Sequence, residues 1–312
     1  MNSLIEQAAQ RLDQLRRAGV VVPEMVNTAS PPIDPERSSA VLATVVKPQS
    51  ALRPEKPPVL SRYVDLNLEA LAAAGVVTPN APRSHTADQY RVIKRPLISN
   101  AMGKGASILN HGNLIMVTSA VAGEGKSYTS VNLAMSIAAE LDNTVMLVDA
   151  DVARPSVLRM LGLPASPGLL DLLEGKADMS GVLLKTSIDK LTILPSGTPH
   201  PRATELLASD AMRALLDDMA KRYPDRIIIF DSPPLLLTTE ARVLATQMGQ
   251  VVLVVQAENT LRADVQLALS TIETCPVRLL LLNKARTDSA SGYGYGYGYG
   301  YGYGYGYEQP TS

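Results

Sequence analysis

A chain of 312 residues, 46% of them hydrophobic, is long enough for one sizeable α/β core with appendages. A formal net charge of −1 leaves no electrostatic footprint for nucleic acid or acidic lipid. No apolar run reaches the roughly 18 residues that would span a bilayer, and the single cysteine, Cys275, cannot form an internal disulfide, so a reducing, cytoplasmic setting is expected.

In chain order, residues 1–22 read as an amphipathic helix, with Leu4, Ile5, Ala8, Leu12 and Leu15 at helical spacing and Gly19 as its stop. Residues 23–61 contain eight prolines and few aromatics, the composition of a linker. The run Leu71-Ala-Ala-Ala-Gly-Val-Val-Thr-Pro79 echoes Leu15-Arg-Arg-Ala-Gly-Val-Val-Val-Pro23. Two copies are too few for a solenoid; similar helix endings and a duplicated docking element both fit. Residues 62–112 read as a helical lead-in.

Residues 113–288 alternate short Val, Ile and Leu runs with amphipathic stretches, at 114–118, 145–148, 191–194, 227–230, 251–255 and 279–282. Continuous apolar runs of this kind predict a mostly parallel sheet covered on both faces, in a doubly wound α/β domain. Residues 289–312 are low in complexity and hold eight consecutive Gly-Tyr pairs, with Tyr293, Tyr295, Tyr297, Tyr299, Tyr301, Tyr303, Tyr305 and Tyr307.

The first strand runs into Ala122-Gly123-Glu124-Gly125-Lys126-Ser127-Tyr128 and then a helix, the context a phosphate loop requires. Backbone N–H groups of this run would cradle phosphates, Lys126 would neutralise the β/γ oxygens and Ser127 would bind Mg²⁺. Ala120 stands where the general pattern has its first glycine, so the Walker A element is deviant. Asp149 and Asp151 sit at a strand's carboxyl end, the edge where open α/β sheets bind ligands. One of the pair would hold Mg²⁺ through water and the other would accept a hydroxyl proton. Four apolar residues ending in Asp231 and closed by Pro233-Pro234 have the form of a Walker B strand. Asn283 lies where the last strand leaves the sheet, at a position suited to the nucleotide base. With no Asp two positions past Lys284 to read guanine, ATP is favoured over GTP.

Together these residues resemble the bacterial tyrosine kinases of capsule and exopolysaccharide synthesis, over roughly residues 64–307 and most nearly the stand-alone autokinases of exosortase-type loci. The resemblance implies Lys126, Asp149, Asp151 and Asp231 as the catalytic set. Asp149 would be the base, with Ser127, Asp151 and Asp231 on Mg²⁺ beside ATP. It implies phosphorylation of the tail tyrosines of neighbouring subunits. It also implies a ring of protomers built on an acidic-x-x-Arg-x-x-Arg stretch, matched here by Asp88, Arg91 and Lys94, where Lys94 lacks the bidentate fork of arginine. The implied partners are a membrane chain-length regulator (co-polymerase) that recruits the protein to the inner membrane and activates it, and a tyrosine phosphatase. Nucleic acid is not among them.

Two other readings stay open. A partitioning or positioning ATPase on the same fold would carry a second lysine five positions before Lys126, where this chain has Val121, and would lack a tyrosine cluster. A nucleotide-sensing scaffold with an adhesive tail would show negligible ATP turnover.

Overall fold

The computed structural model describes residues 62–79, 83–105, 108–222 and 225–286. The expected helix within residues 1–22, the proline-rich 23–61 and the Gly-Tyr tail lie outside the described residues. Eight strands form one sheet: β1 (Arg62–Val64), β2 (Leu114–Ser119), β3 (Thr144–Asp149), β4 (Leu184–Thr186), β5 (Leu191–Leu194), β6 (Arg226–Asp231), β7 (Gln250–Gln256) and β8 (Val277–Asn283). Their spatial order is β1-β4-β5-β3-β6-β2-β7-β8. Neighbours are parallel except β4 and β5.

The central strands are buried on both faces because successive residues supply opposite faces. On β2, Leu114 and Met116 join one core cluster while Ile115 and Val117 join the other. The first cluster is closed by Met212, Leu216 and Met219 of α8 (Asp210–Arg222), by Leu244 of α9 (Thr239–Ala245) and by Ala268 of α10 (Arg262–Ser270). The second is closed by Val131, Leu133 and Ile137 of α3 (Lys126–Ala138), by Tyr90 and Leu97 of α2 (His85–Ala101) and by Leu71 of α1 (Leu68–Ala73). The remaining short helices are α4 (Val157–Met160), α5 (Leu169–Leu173), α6 (Met179–Val182) and α7 (Ala203–Leu207). Phe230 is the only phenylalanine in the chain and is fully buried, and with Tyr90 it supplies the aromatic side chains of the two core clusters.

Three details depart from the expected picture. Strands β1 and β4 have three residues each, too few for a periodic signal, and their sequences Arg-Tyr-Val and Leu-Lys-Thr carry no apolar run. The run at 279–282 was expected to be buried on both sides, but β8 is an edge strand whose burial alternates, leaving Leu280 and Leu282 60% and 64% exposed. The sheet therefore has an uncovered apolar margin at β8, on the face opposite α2. Finally, residues 62–112 contribute an edge strand and two helices to the same sheet and core: buried Gln250 of β7 donates to the carbonyls of Leu97 and Gly112 and accepts from Asn100 Nδ2, pinning the end of α2 to the sheet. No helix among the described residues is long and apolar enough to cross a membrane.

Candidate active site

The site lies at the carboxyl ends of β2, β3 and β6, where the strand order turns back on itself between β2 and its neighbours. Chain leaving β2 must reverse into α3 within residues 120–125, and two residues take left-handed backbone to do it, Gly123 at φ 87° and Gly125 at φ 98°. A side chain at position 125 would also meet the Asn283 amide, since an added Cβ would lie 2.1 Å from Asn283 Nδ2. The loop is thus a glycine cradle ahead of a helix N-terminus, a shape that presents N–H groups to an anion.

The cradle is braced from beneath by the ends of β7 and β8. Glu124, read from sequence as a phosphate-loop residue, turns its carboxylate away from the cradle and into the protein, where it is 1% exposed. Its Oε2 accepts from Val121 N at 2.8 Å, and its Oε1 accepts from Gln256 N at 3.3 Å and from the Thr260 hydroxyl. Asn283, expected at the nucleotide base, donates from Nδ2 to Glu124 O at 2.8 Å. Lys284 Nζ donates to Gly123 O at 2.7 Å. Thr260, Gln256 and Lys284 carry no motif of their own. Their part is visible only once the sheet brings β7 and β8 beside β2. Truncation of Glu124 to alanine orphans several buried donors at about 1–3 kcal/mol each. Calorimetric titration of Glu124→Ala with ADP is therefore expected to show affinity weakened about tenfold or more. Unchanged affinity would mean the brace does not shape the loop.

Above the cradle, four of the expected residues converge. Lys126 Nζ lies 2.6 Å from Asp151 Oδ2, 3.2 Å from Ser127 Oγ and 3.7 Å from Asp231 Oδ1. Asp231 Oδ1 also accepts from Ser130 Oγ at 3.2 Å, a residue the sequence reading had passed over. Asp149 and Asp231 sit opposite each other in the β3–β6 register. Asp149 Oδ2 accepts from the backbone N–H groups of Ser156 and Val157, both at 3.0 Å. Each of these two acids keeps one buried oxygen, Asp149 Oδ1 and Asp231 Oδ2, with no hydrogen-bond partner.

Burial pushes the Asp149 carboxyl up to about 7, with the neighbouring Asp231 charge adding to the effect against the two N–H donors. Asp231 is raised as well, by burial first, although Lys126 and the hydroxyls of Ser127 and Ser130 work against it. Orphaned carboxylate oxygens beside a hydroxyl and a lysine suit a hard cation with a polyphosphate. Mg²⁺ favours oxygen ligands and is usually held by one or two carboxylates together with substrate phosphates. Asp151, expected on the metal, has Lys126 as its partner here, so a phosphate arriving in the cradle would compete with Asp151 for that ammonium.

Other expected residues are placed elsewhere. Ala122 and Gly123 are exposed at the cradle rim. Tyr128 points its hydroxyl at Gly75 O, 2.6 Å away, so only its backbone belongs to the loop. Of the ring residues on α2, Asp88 and Arg91 pair with each other on an exposed face. Lys94 is committed inward, 5% exposed, donating to Ser136 O at 2.5 Å and pairing with Glu140 at 2.6 Å. Its ammonium straps α2 to α3.

Comparison with known proteins identifies the scaffold that carries this site. A family model described as "ParA: NUBPL iron-transfer P-loop NTPase" matches residues 110–280. The tyrosine-protein kinase YwqD of Bacillus subtilis (strain 168) is 32% identical over 205 residues, 66% of this chain and 83% of that protein. The tyrosine-protein kinase ptk of Acinetobacter johnsonii is 30% identical over 180 residues, covering 57% of this chain but 24% of that much longer protein. Among solved structures, the chimerical protein CapA2B2 superposes with a TM-score of 0.55 at 28% identity, over 71% of this chain and 93% of that one. The glycine cradle, the paired acids ending β3 and the acid ending β6 thus stand on a recognised scaffold, and the chain belongs to the ParA-like P-loop NTPases and, among them, to the bacterial tyrosine kinases.

Proposed function

We infer that the protein is an ATP- and Mg²⁺-dependent protein-tyrosine kinase that phosphorylates the Gly-Tyr tail of neighbouring copies. The observation that carries this reading is the convergence of Lys126, Asp149, Asp151 and Asp231 above a glycine cradle, in a chain that also bears eight regularly spaced tyrosines. The residues of the cradle and Lys126 would hold the phosphates of ATP, and Ser127, Asp151 and Asp231 would hold Mg²⁺, which supplies charge neutralisation across the phosphates. Asp149 would take the tyrosine proton, a task for which a carboxyl titrating near neutrality is suited. Phosphoryl transfer asks for positioning and charge stabilisation more than covalent chemistry, and Lys126, Ser127, Asp151 and Asp231 would serve those two ends.

Each added phosphate brings about −1.5 to −2 charges at neutral pH, so a multiply modified tail becomes a polyanion and would loosen contacts between copies. On family membership we extend the reading to control of extracellular polysaccharide assembly or export, with a membrane co-polymerase as activator, a tyrosine phosphatase as antagonist and a cytoplasmic site of action at the inner membrane. Asp88 and Arg91 would supply the exposed part of a ring contact.

Transfer between copies is tested by mixing two chains in Mg-ATP. One is full-length Lys126→Met, which keeps the tail. The other is wild type truncated after Asp288, which keeps the site. Phosphotyrosine on the Lys126→Met chain is the expected result. Phosphotyrosine on full-length wild type incubated by itself, with none on the Lys126→Met chain of the mixture, would instead show transfer within one copy.

A further inference from the structure

The repeated Leu-x-x-Ala-Gly-Val-Val-x-Pro run is unused by the catalytic account, and its second copy is described in full. Helix α1 ends in a Schellman turn, with Gly75 N donating to Ala72 O and Val76 N donating to Leu71 O, both at 2.9 Å. Gly75 takes the left-handed backbone at φ 80° that such an ending requires. The residues flanking the turn, Leu71 and Val76, are buried against the core. Two hydrogen bonds then seat the segment on α3: Val77 N donates to Asn132 Oδ1 at 2.7 Å, and Tyr128 OH donates to Gly75 O at 2.6 Å. Tyr128 directly follows Ser127, so this seat adjoins the phosphate cradle.

Alignment of residues 12–23 on residues 68–79 keeps seven of twelve identical: both leucines, Ala, Gly, both valines and Pro. The five differences sort by burial. Asp13, Gln14, Arg16 and Arg17 replace Glu69, Ala70, Ala72 and Ala73, all exposed in the seated copy, and the fifth replaces buried Thr78 with Val22, a side chain of the same shape. Selection by surface position is what a second occupant of the same seat would need. The match stops at residue 68, because buried Leu66 and the capping Asn67 correspond to Gln10 and Arg11. The first copy is thus the weaker occupant, suited to reversible exchange. The seated copy is itself lightly held, since a helix of six residues does not stand alone.

We propose that residues 12–23 are an exchange arm that takes the seat of residues 68–79 on a second copy of this chain. Residues 24–67 separate the two repeats, and 44 residues can extend roughly 145 Å. The whole sheet is about 34 Å wide at the usual strand spacing, so a neighbouring copy is within reach. A seated arm places its neighbour beside the cradle, where a tail transferred between copies must also arrive.

The test is run on the full chain without nucleotide, so its outcome is independent of phosphotransfer. A photoreactive residue replaces Val22, and chains of natural and heavy-nitrogen isotopic composition are mixed before irradiation. Mixed-isotope crosslinks into residues 128–132, lost in Leu15→Asp/Val20→Asp and absent when the photoreactive residue replaces Ser3, are expected. Links only between same-isotope chains, links that persist in the double variant, or none to residues 128–132 would overturn the exchange.

Discussion

Replacement of Lys126 by methionine is expected to lower tail phosphorylation about 10²- to 10³-fold, the scale of removing one preorganised charge-stabilising group from an active site. Among the described residues no other side-chain cation pairs with Asp151 or Asp231. The Lys126 ammonium is the cation within 4 Å of both Asp151 and Asp231, and in the free enzyme those acids occupy it. The same substitution has a second effect. Breaking a buried ion pair by removing one partner costs up to about 3–5 kcal/mol, because the other charge is left uncompensated. Part of that cost is relieved as Asp231, already raised by burial, takes up a proton. Thermal unfolding of Lys126→Met should therefore occur at a lower temperature than wild type, with the gap narrower at pH 6 than at pH 8. A gap independent of pH would show that the lysine does not hold ionised acids in place.

Asp149→Asn is expected to move activity and stability in opposite directions. Loss of a general base costs about 10²- to 10⁴-fold in rate. Stability follows from linkage. Asp149 titrates near 7 in the folded chain against an ordinary 3.8, so the folded state binds its proton more tightly than the unfolded state. That contribution is fully present below about pH 4 and is lost as pH rises through 7, amounting to about 4 kcal/mol at the upper end. Asparagine carries no charge to bury, and its amide oxygen can still accept from Ser156 and Val157. The metal-free Asp149→Asn chain should be more stable than wild type at pH 8, with the advantage shrinking as pH falls towards 4. A variant less stable than wild type at pH 8 would contradict the burial account. A fully active variant would remove Asp149 from the proton-transfer role. A carboxylate that costs stability while supporting turnover is the trade expected of an active site.

Much of this was legible in the sequence because two local codes are strong. The six long strands announce themselves as Val, Ile and Leu runs, and the glycine cradle must sit between a strand and a helix to have any use. Asp149 and Asp231 were readable for the same reason, each being the polar residue that ends an apolar run. What sequence could not supply was proximity. Strands β1 and β4 are too short to show periodicity and are recruited by pairing with one another. The brace under the cradle joins Glu124 to Thr260 and Asn283, more than 100 positions away, and only the strand order brings them together. Lys94 illustrates the converse error. Its spacing from Asp88 and Arg91 matched an interface motif, but helical spacing alone does not say which way a side chain turns, and a buried carbonyl at Ser136 captured it.

The central claim, that this P-loop site transfers phosphate to the chain's own tyrosines, is most directly tested by peptide mass spectrometry of the purified full-length protein after incubation with Mg-ATP. Phosphate on several of Tyr293 to Tyr307, absent from Lys126→Met treated in parallel, is the predicted result. ATP hydrolysis that leaves every one of those tyrosines unmodified, with or without a membrane activator, would contradict the account and favour a nucleotide switch on the same fold.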